Sequence, residues 1–358
     1  MLFTRKRIFI GPVNSANLAN LFADAFNANG LRADFISFSP TDHPFRFKQG
    51  KQVFQMKEGA LPTIFRKNIP SVLNSMLVHL YLIIWTVKYD VFIFISPRTI
   101  LANQRDLPWI RFFRKKIIFI FAGCPERDPH FLPSNPEYIC NRCTDQEKQQ
   151  ILHCQQIERK RTFIERLEDK ADYILSQDDS ASFLRYRKPV WLYIPVPRPE
   201  PSDFLLKHRS DRIKIVHFPS NPVIKLSHFI IPVLKQLSDN YPNLEIVLKT
   251  NISHMEVLEE LKTAHVLVDC LGLGYGVLAI EAMARGCVVV TGRVGFFERQ
   301  FPQMPVIAST TGSLYTDMEG LLLDRQRLTA TAKRSMDFYE RYHTYAAVTG
   351  FYKRELHL

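Results

Sequence analysis

At 358 residues the chain is long enough for two ordinary domains and too short for three. A hydrophobic fraction of 46% and a charged fraction of 23% exclude disordered, collagen-like and disulfide-scaffold chains. The formal net charge of +12 favours an anionic partner: nucleic acid, an anionic membrane face or a phosphorylated substrate. The surplus is uneven. Met1–Pro195 holds 28 Lys/Arg against 18 Asp/Glu, a net of +10, while the remainder carries +2. The first half is expected to meet something anionic and extended, the second something smaller.

In chain order, the first apolar run is a strand at Arg7–Gly11, too short for a signal peptide, followed by a helical pattern at Ala16–Asn29 and a strand at Ala33–Ser37. Ser71–Val87 is apolar and carries no formal charge, but it contains Asn74, Ser75 and His79 and sits at the lower length limit for a membrane span. It reads as a buried or interfacial helix feeding the strand Val91–Ile95. Within it, His79 reads as a satisfied core histidine. Strands follow at Ile117–Phe121 and Tyr173–Ser176. Four prolines in Pro195–Pro201 then make a stiff extended linker that no helix or central strand can contain. Beyond it come strands at Ile213–Phe218, Glu245–Lys249, Val266–Asp269, Val288–Thr291 and Pro305–Ile307, with a helical pattern at Leu226–Tyr241. Such alternation predicts α/β architecture: two Rossmann-like parallel-sheet domains joined near residues 195–211.

Val266–Gly292 is the most informative segment. A strand ends at Asp269, a turn runs through Gly272, Gly274 and Gly276, and a helix starts near Val277. Glycines between strand and helix let backbone approach a ligand, and the N–H groups opening the helix favour an anion such as a diphosphate. Glu281, one turn in, is placed to accept hydrogen bonds from a ribose diol. The bland alternative is a tight packing turn with a solvated glutamate. The glycine spacing differs from the dinucleotide-binding fingerprint.

GYGVLAIEAMARGCVVVTG resembles the donor-binding signature of glycosyltransferase family 4, whose members adopt the two-domain GT-B fold. Ile10-Gly11-Pro12 resembles that family's first glycine loop, His217–Asn221 with Lys225 the start of its second domain, and Glu340–Tyr345 its closing helix. The resemblance implies an acceptor-side domain over residues 1–195, a nucleotide-sugar domain over 196–340, and a C-terminal helix over 341–358 crossing back to the first. It also implies that Glu281 holds the donor's ribose, that Gly274, Tyr275 and Gly276 present backbone N–H groups, and that Lys225, with Ser220, neutralises the diphosphate. Gly11 belongs to the same donor-binding set. Such a leaving group needs no catalytic metal.

Two positions depart from the family pattern. Leu273 stands where a first glutamate would hold donor hydroxyls, and the loop after the fourth strand, Ala122–Asp128, lacks the family histidine. Either Glu126 or Asp128, the acidic residues there and the candidate catalytic groups, takes on the polar role, or the site is altered. Separately, Cys124, Cys140, Cys143 and Cys154 have spacing that could close a structural zinc site, uncoordinated thiols being the alternative. Cys270 and Cys287 read as small core residues.

Basic clusters at Lys48–Lys67, Arg111–Lys116 and Arg159–Arg161, beside Phe112, Phe113 and the Ser71–Val87 helix, suggest a surface resting on anionic lipid. No nucleic-acid-binding signature accompanies them.

The expectation is a glycosyltransferase of hexosyl type. It would be cytoplasmic or peripheral on the inner membrane face, moving a sugar from a nucleotide-diphosphate donor to a saccharide or lipid-linked acceptor in surface polysaccharide or glycoconjugate synthesis, with retention. The competing reading is a non-catalytic GT-B subunit that binds nucleotide sugar. A third reading, a nucleotide-sugar epimerase on the same fold, lacks a clear acidic or histidine pair in this sequence.

Overall fold

The computed structural model describes residues 6–37, 51–52, 54–55, 63–64, 71–123, 126–131, 138–142, 156–200, 204–292 and 299–358. Two parallel sheets frame them. The first contains β1 (Arg7–Gly11), β2 (Arg32–Ser37), β3 (Lys51–Gln52), β6 (Val91–Ile95), β7 (Lys116–Ile120), β8 (Tyr173–Ser176) and β9 (Val190–Trp191), in the order β3-β2-β1-β6-β7-β8-β9. β4 (Phe54–Gln55) and β5 (Thr63–Ile64) form a separate antiparallel pair. The second sheet contains β10 (Ile213–His217), β11 (Leu244–Leu248), β12 (Val266–Val268), β13 (Val288–Gly292) and β14 (Val306–Ser309), in the order β11-β10-β12-β13-β14.

The longer strands form where apolar β-branched and aromatic residues run together. VFIFI in β6 and VVVTG in β13 are buried at every position, as a parallel strand covered on both faces requires. The two-residue strands β3, β4, β5 and β9 carry no periodicity and are not foreseen from the sequence. Each sheet reverses its strand order once, between β1 and β6 and between β10 and β12.

On one face of the first sheet, α1 (Leu18–Ala28) packs with the C-terminal helix α12 (Tyr345–Glu355). On the other lie α2 (Ser71–Lys88), α3 (Leu107–Phe112) and, after the short α4 (Ile139–Arg142), α5 (Ile157–Glu168). All but α4 bury apolar residues in one cluster with Phe9, Phe92, Phe94 and Phe119. Tyr138 and Cys140, at the start of α4, pack instead against the core of the second sheet.

The second sheet is wrapped by α7 (Ser227–Asn240), α8 (His254–Thr263), α9 (Val277–Ala284), α10 (Leu314–Leu323) and α11 (Arg325–Tyr342), with α6 (Phe204–Arg209) ahead of β10.

The proline-rich segment is tied down. Val196 N–H donates to His343 O at 2.8 Å, Tyr339 Oη donates to Val196 O at 3.1 Å, and His343 Nδ1 lies 2.9 Å from Ile194 O. Beyond it α12 reaches α1, where Thr349 Oγ1 donates to Ala25 O at 3.1 Å and Lys353 Nζ to Asn29 O at 2.7 Å. Among the described residues no helix is long and apolar enough to cross a membrane.

Candidate nucleotide-sugar site

In open α/β sheets ligands gather beyond the carboxyl ends of the strands where strand order reverses. In the second sheet that place lies between β10 and β12, and the Gly274–Gly276 turn, Lys225 and the helix carrying Glu281 all follow those two strands. The turn after β12 is fixed from behind by the end of β13. Gly292 N–H donates to Cys270 O at 2.8 Å and Leu273 O at 3.2 Å, and Thr291 Oγ1 donates to the same two carbonyls at 3.1 and 3.2 Å. A Cβ at Gly292 would stand 2.0 Å from Leu271 O, so only glycine permits this approach.

With its carbonyls at 270 and 273 engaged, the turn leads into α9, whose first N–H groups have no intrahelical acceptor and receive no side-chain cap. Gly276, at the N-cap, has extended backbone (φ −128°), and a Cβ there would meet nothing within 4 Å. The helix therefore opens onto unfilled space. It closes in a Schellman motif: Gly286 N–H donates to Met283 O and Cys287 N–H to Ala282 O, both at 3.0 Å, with Gly286 at φ +67°.

Glu281 is buried on α9, and His254 Nε2 lies 2.7 Å from its Oε1. His254 opens α8, behind a capping box in which Ser253 and Glu256 bond reciprocally. Sequence reasoning missed this histidine. Its partner is 27 positions away, and no local pattern joins them.

Lys225 is half-buried, and its ammonium is bonded to the buried Asp269 carboxylate. Burial disfavours its charged form most, but the Asp269 charge and hydrogen bond, with Cys270, together outweigh this and hold the ammonium above its usual range. Asp269, like His254, was not singled out. It follows β12 directly and is the acceptor that fixes Lys225. His217, at the end of β10, is buried between Val268 O at 2.8 Å and Ser227 Oγ at 2.9 Å, and burial pushes its pKa down. Ser220 is exposed in the loop that follows.

The Tyr275 side chain turns away from the open helix end. Its ring lies among Phe301, Phe338 and His343, with Oη 3.3 Å from His343 Nε2. Only its backbone is available to a ligand at the turn. Leu273 is half-buried against the core of the second sheet.

At the carboxyl edge of the first sheet, Gly11 has φ +153°, and a Cβ there would stand 2.2 Å from Ile36 O. Close approach to β2 is thus sufficient reason for that glycine. Beyond β7, Glu126 is buried, with Oε2 accepting from Gly123 N–H at 3.0 Å and Oε1 bonded to nothing. Burial pushes its carboxyl up to about 7, against hydrogen bonds from Ser96 and Gly123 that favour the carboxylate. A buried carboxyl near neutrality is a candidate for proton transfer, and its unpaired Oε1 is closed off from solvent here. Asp128 is half-buried, and its Oδ1 accepts from His130 N–H at 2.9 Å as a local turn cap.

Cys124, Cys143 and Cys154 lie outside the described residues, as do Lys48, Lys57, Arg66 and Lys67. Among the described residues no group of three or more His, Cys, Asp or Glu could hold a metal.

No family model and no curated protein matches the chain by sequence. Solved structures do match, over essentially the whole length. Sucrose-phosphate synthase from Thermosynechococcus elongatus superposes with a TM-score of 0.61 at 14% identity, covering 99% of each chain. Anabaena HepE, in complex with UDP-glucose, gives 0.61 at 13% identity, covering 98% of this chain and 99% of its own. A UDP-N-acetylglucosamine 2-epimerase gives 0.53 at 11% identity, covering 99% and 97%. At these identities the likeness establishes the fold. The chain has the GT-B architecture, two Rossmann-like domains, as its sequence pattern predicts. Membership of family 4 goes beyond this likeness.

Proposed function

We propose that the protein is a glycosyltransferase that takes a sugar from a nucleoside-diphosphate donor. One arrangement carries the reading: buried Glu281, oriented by His254, stands on a helix whose uncapped first turn opens beside unfilled space at the strand-order reversal. Backbone N–H groups there suit the diphosphate, and Glu281 suits the ribose diol. Lys225, held by Asp269, places one cation beside them, so the leaving group's charge is met without a metal. The binding of UDP-glucose by HepE and of UDP by a further structural neighbour accords with such a donor. Glu126, near its midpoint at neutral pH, is assigned the proton-handling role on the acceptor side, with Asp128 as the other candidate there. Retention of configuration, a hexosyl donor, and a saccharide or lipid-linked acceptor complete the proposal.

The test is a thermal-shift panel of nucleoside-diphosphate sugars followed by product analysis. Stabilisation by at least one donor, with release of nucleoside diphosphate, is expected. No response to any donor would sink the reading. A specific observation favours a second reading: Leu273 packs toward the core and offers donor hydroxyls no acceptor. A donor that stabilises the protein and is never consumed would make it a nucleotide-sugar-binding subunit.

A further inference from the structure

The helical face of the first domain carries a surface that the donor site does not use. α2 buries Val78, Leu82 and Trp85 against the sheet. Its opposite side should then be polar, and it is not. Met76 is 64% exposed, Ile83 45% and Val87 76%, with Leu80 and Ile84 also exposed. These positions recur at helical spacing and form one outward apolar stripe. On neighbouring α3, Phe112 is 77% exposed, with Phe113 against it at 5.3 Å between ring centres. Across α2 and Leu107–Lys115 there are four cationic side chains; Lys88 pairs with Asp34 and Arg111 with Asp172, both at 2.8 Å, and Lys115 with Asp90 at 3.5 Å, so among the described residues Arg114 is the one of the four without a carboxylate partner.

On the same helical face, between the segment before α3 and the outer side of α5, lies an open cavity of about 560 Å³. Its walls carry Arg105, Arg159 and Arg166, with Asn103, Thr162 and Phe163. Arg159 sits over the Phe163 ring at 5.5 Å and bonds Gln156 at 3.3 Å. Among the described residues no carboxylate pairs with any of the three arginines. The inner sides of α2, α3 and α5 pack in the same cluster on the same sheet face, so their outer sides look the same way.

We propose that this face docks on a membrane of anionic phospholipid, with the α2 stripe and Phe112 in the interface and the arginine cavity taking a headgroup phosphate. The charge decides the occupant. A second copy of the chain would set arginine against arginine, whereas an anionic bilayer supplies apolar depth and phosphate together. The inference goes beyond the donor-site reading and does not rest on it.

Flotation of the full chain with vesicles tests it. Phosphatidylglycerol–phosphatidylcholine vesicles should carry the protein at low salt and release it as salt rises, while phosphatidylcholine alone carries little. Arg105→Gln, Arg159→Gln and Arg166→Gln should each weaken binding about fivefold, and together roughly a hundredfold. Ile83→Glu with Val87→Glu should abolish it, and both sets alter exposed side chains, so melting temperature should hold. Equal flotation with neutral vesicles, or none with either, would overturn the proposal. So would a dimer in sedimentation that Ile83→Glu dissociates, or tight binding of inorganic phosphate alone that leaves flotation untouched. Nucleotide-sugar stabilisation, measured on the same samples, shows separately whether the donor reading stands.

Discussion

A methyl group added at Gly276 and one added at Gly286 would meet opposite surroundings. At Gly276 the backbone is extended and the space empty, whereas at Gly286 φ is +67° and a Cβ would stand 2.7 Å from the Phe204 ring. Gly276→Ala should therefore leave the melting temperature unchanged while lowering nucleotide-sugar affinity. Gly286→Ala should cost at least about 1 kcal/mol of stability through backbone strain alone. Unfolding curves and a donor titration on both variants check the pair, and a destabilised Gly276→Ala would count against the open cradle. Glu281→Ala should weaken the donor by about 1.5–3 kcal/mol, the loss of a charge-assisted hydrogen bond, and isothermal titration reads it directly. For Glu126 the sign follows from its raised pKa. The folded state keeps its proton up to about 7 while the unfolded chain loses it near 4.5, so this group's contribution to stability is lost as pH rises between those values. Glu126→Gln should gain stability relative to the parent across that window, hold the gain above it, and lose transfer activity. A Tm difference that does not change with pH would show that the carboxyl is not perturbed.

At the scale of elements, the strands were legible because parallel strands covered on both faces must be apolar throughout, and runs such as Val91–Ile95 and Val288–Gly292 are. Their ends move by a residue or so: Asp269 lies just past β12 instead of closing it. The glycine turn and Glu281 were legible too, since turn chemistry is local. The partners that orient the site were not. His254 meets Glu281, and Asp269 meets Lys225, only through packing of α8 on α9 and of the β10 loop beside β12. The placement of Tyr275 was half legible: its backbone lies in the turn, while its ring belongs to the aromatic group around His343, which no spacing announces. Burial was equally hidden at Glu126. Its polarity marked it as a candidate, but the rise in pKa comes from what the fold places around it.

At the scale of the molecule, acid sensitivity should reflect histidines buried neutral. Burial pushes His208, His265 and His343 each down to about 4, against an ordinary value of 6.5. The unfolded chain takes up those protons first, so their contribution is complete above about 6.5 and is lost as pH falls towards 4. Raised carboxyls at Asp106 and Glu126 oppose the trend, but the histidines outnumber them. Melting temperature should therefore fall on acidification from pH 6.5 to 4.5, and a flat profile would refute it. His343 is also the residue gripping the proline-rich segment, at the point where the chain turns back through α12 onto α1. That return has a consequence for synthesis. The first domain's share of sequence is interrupted, and a ribosome delivers residues 18–28 long before residues 345–355. Until the final helix emerges, Phe22 and Phe26 wait without the cover that Tyr352 and its neighbours supply. The nascent first domain is thus held incomplete through translation of the second, in the interval when chaperones act.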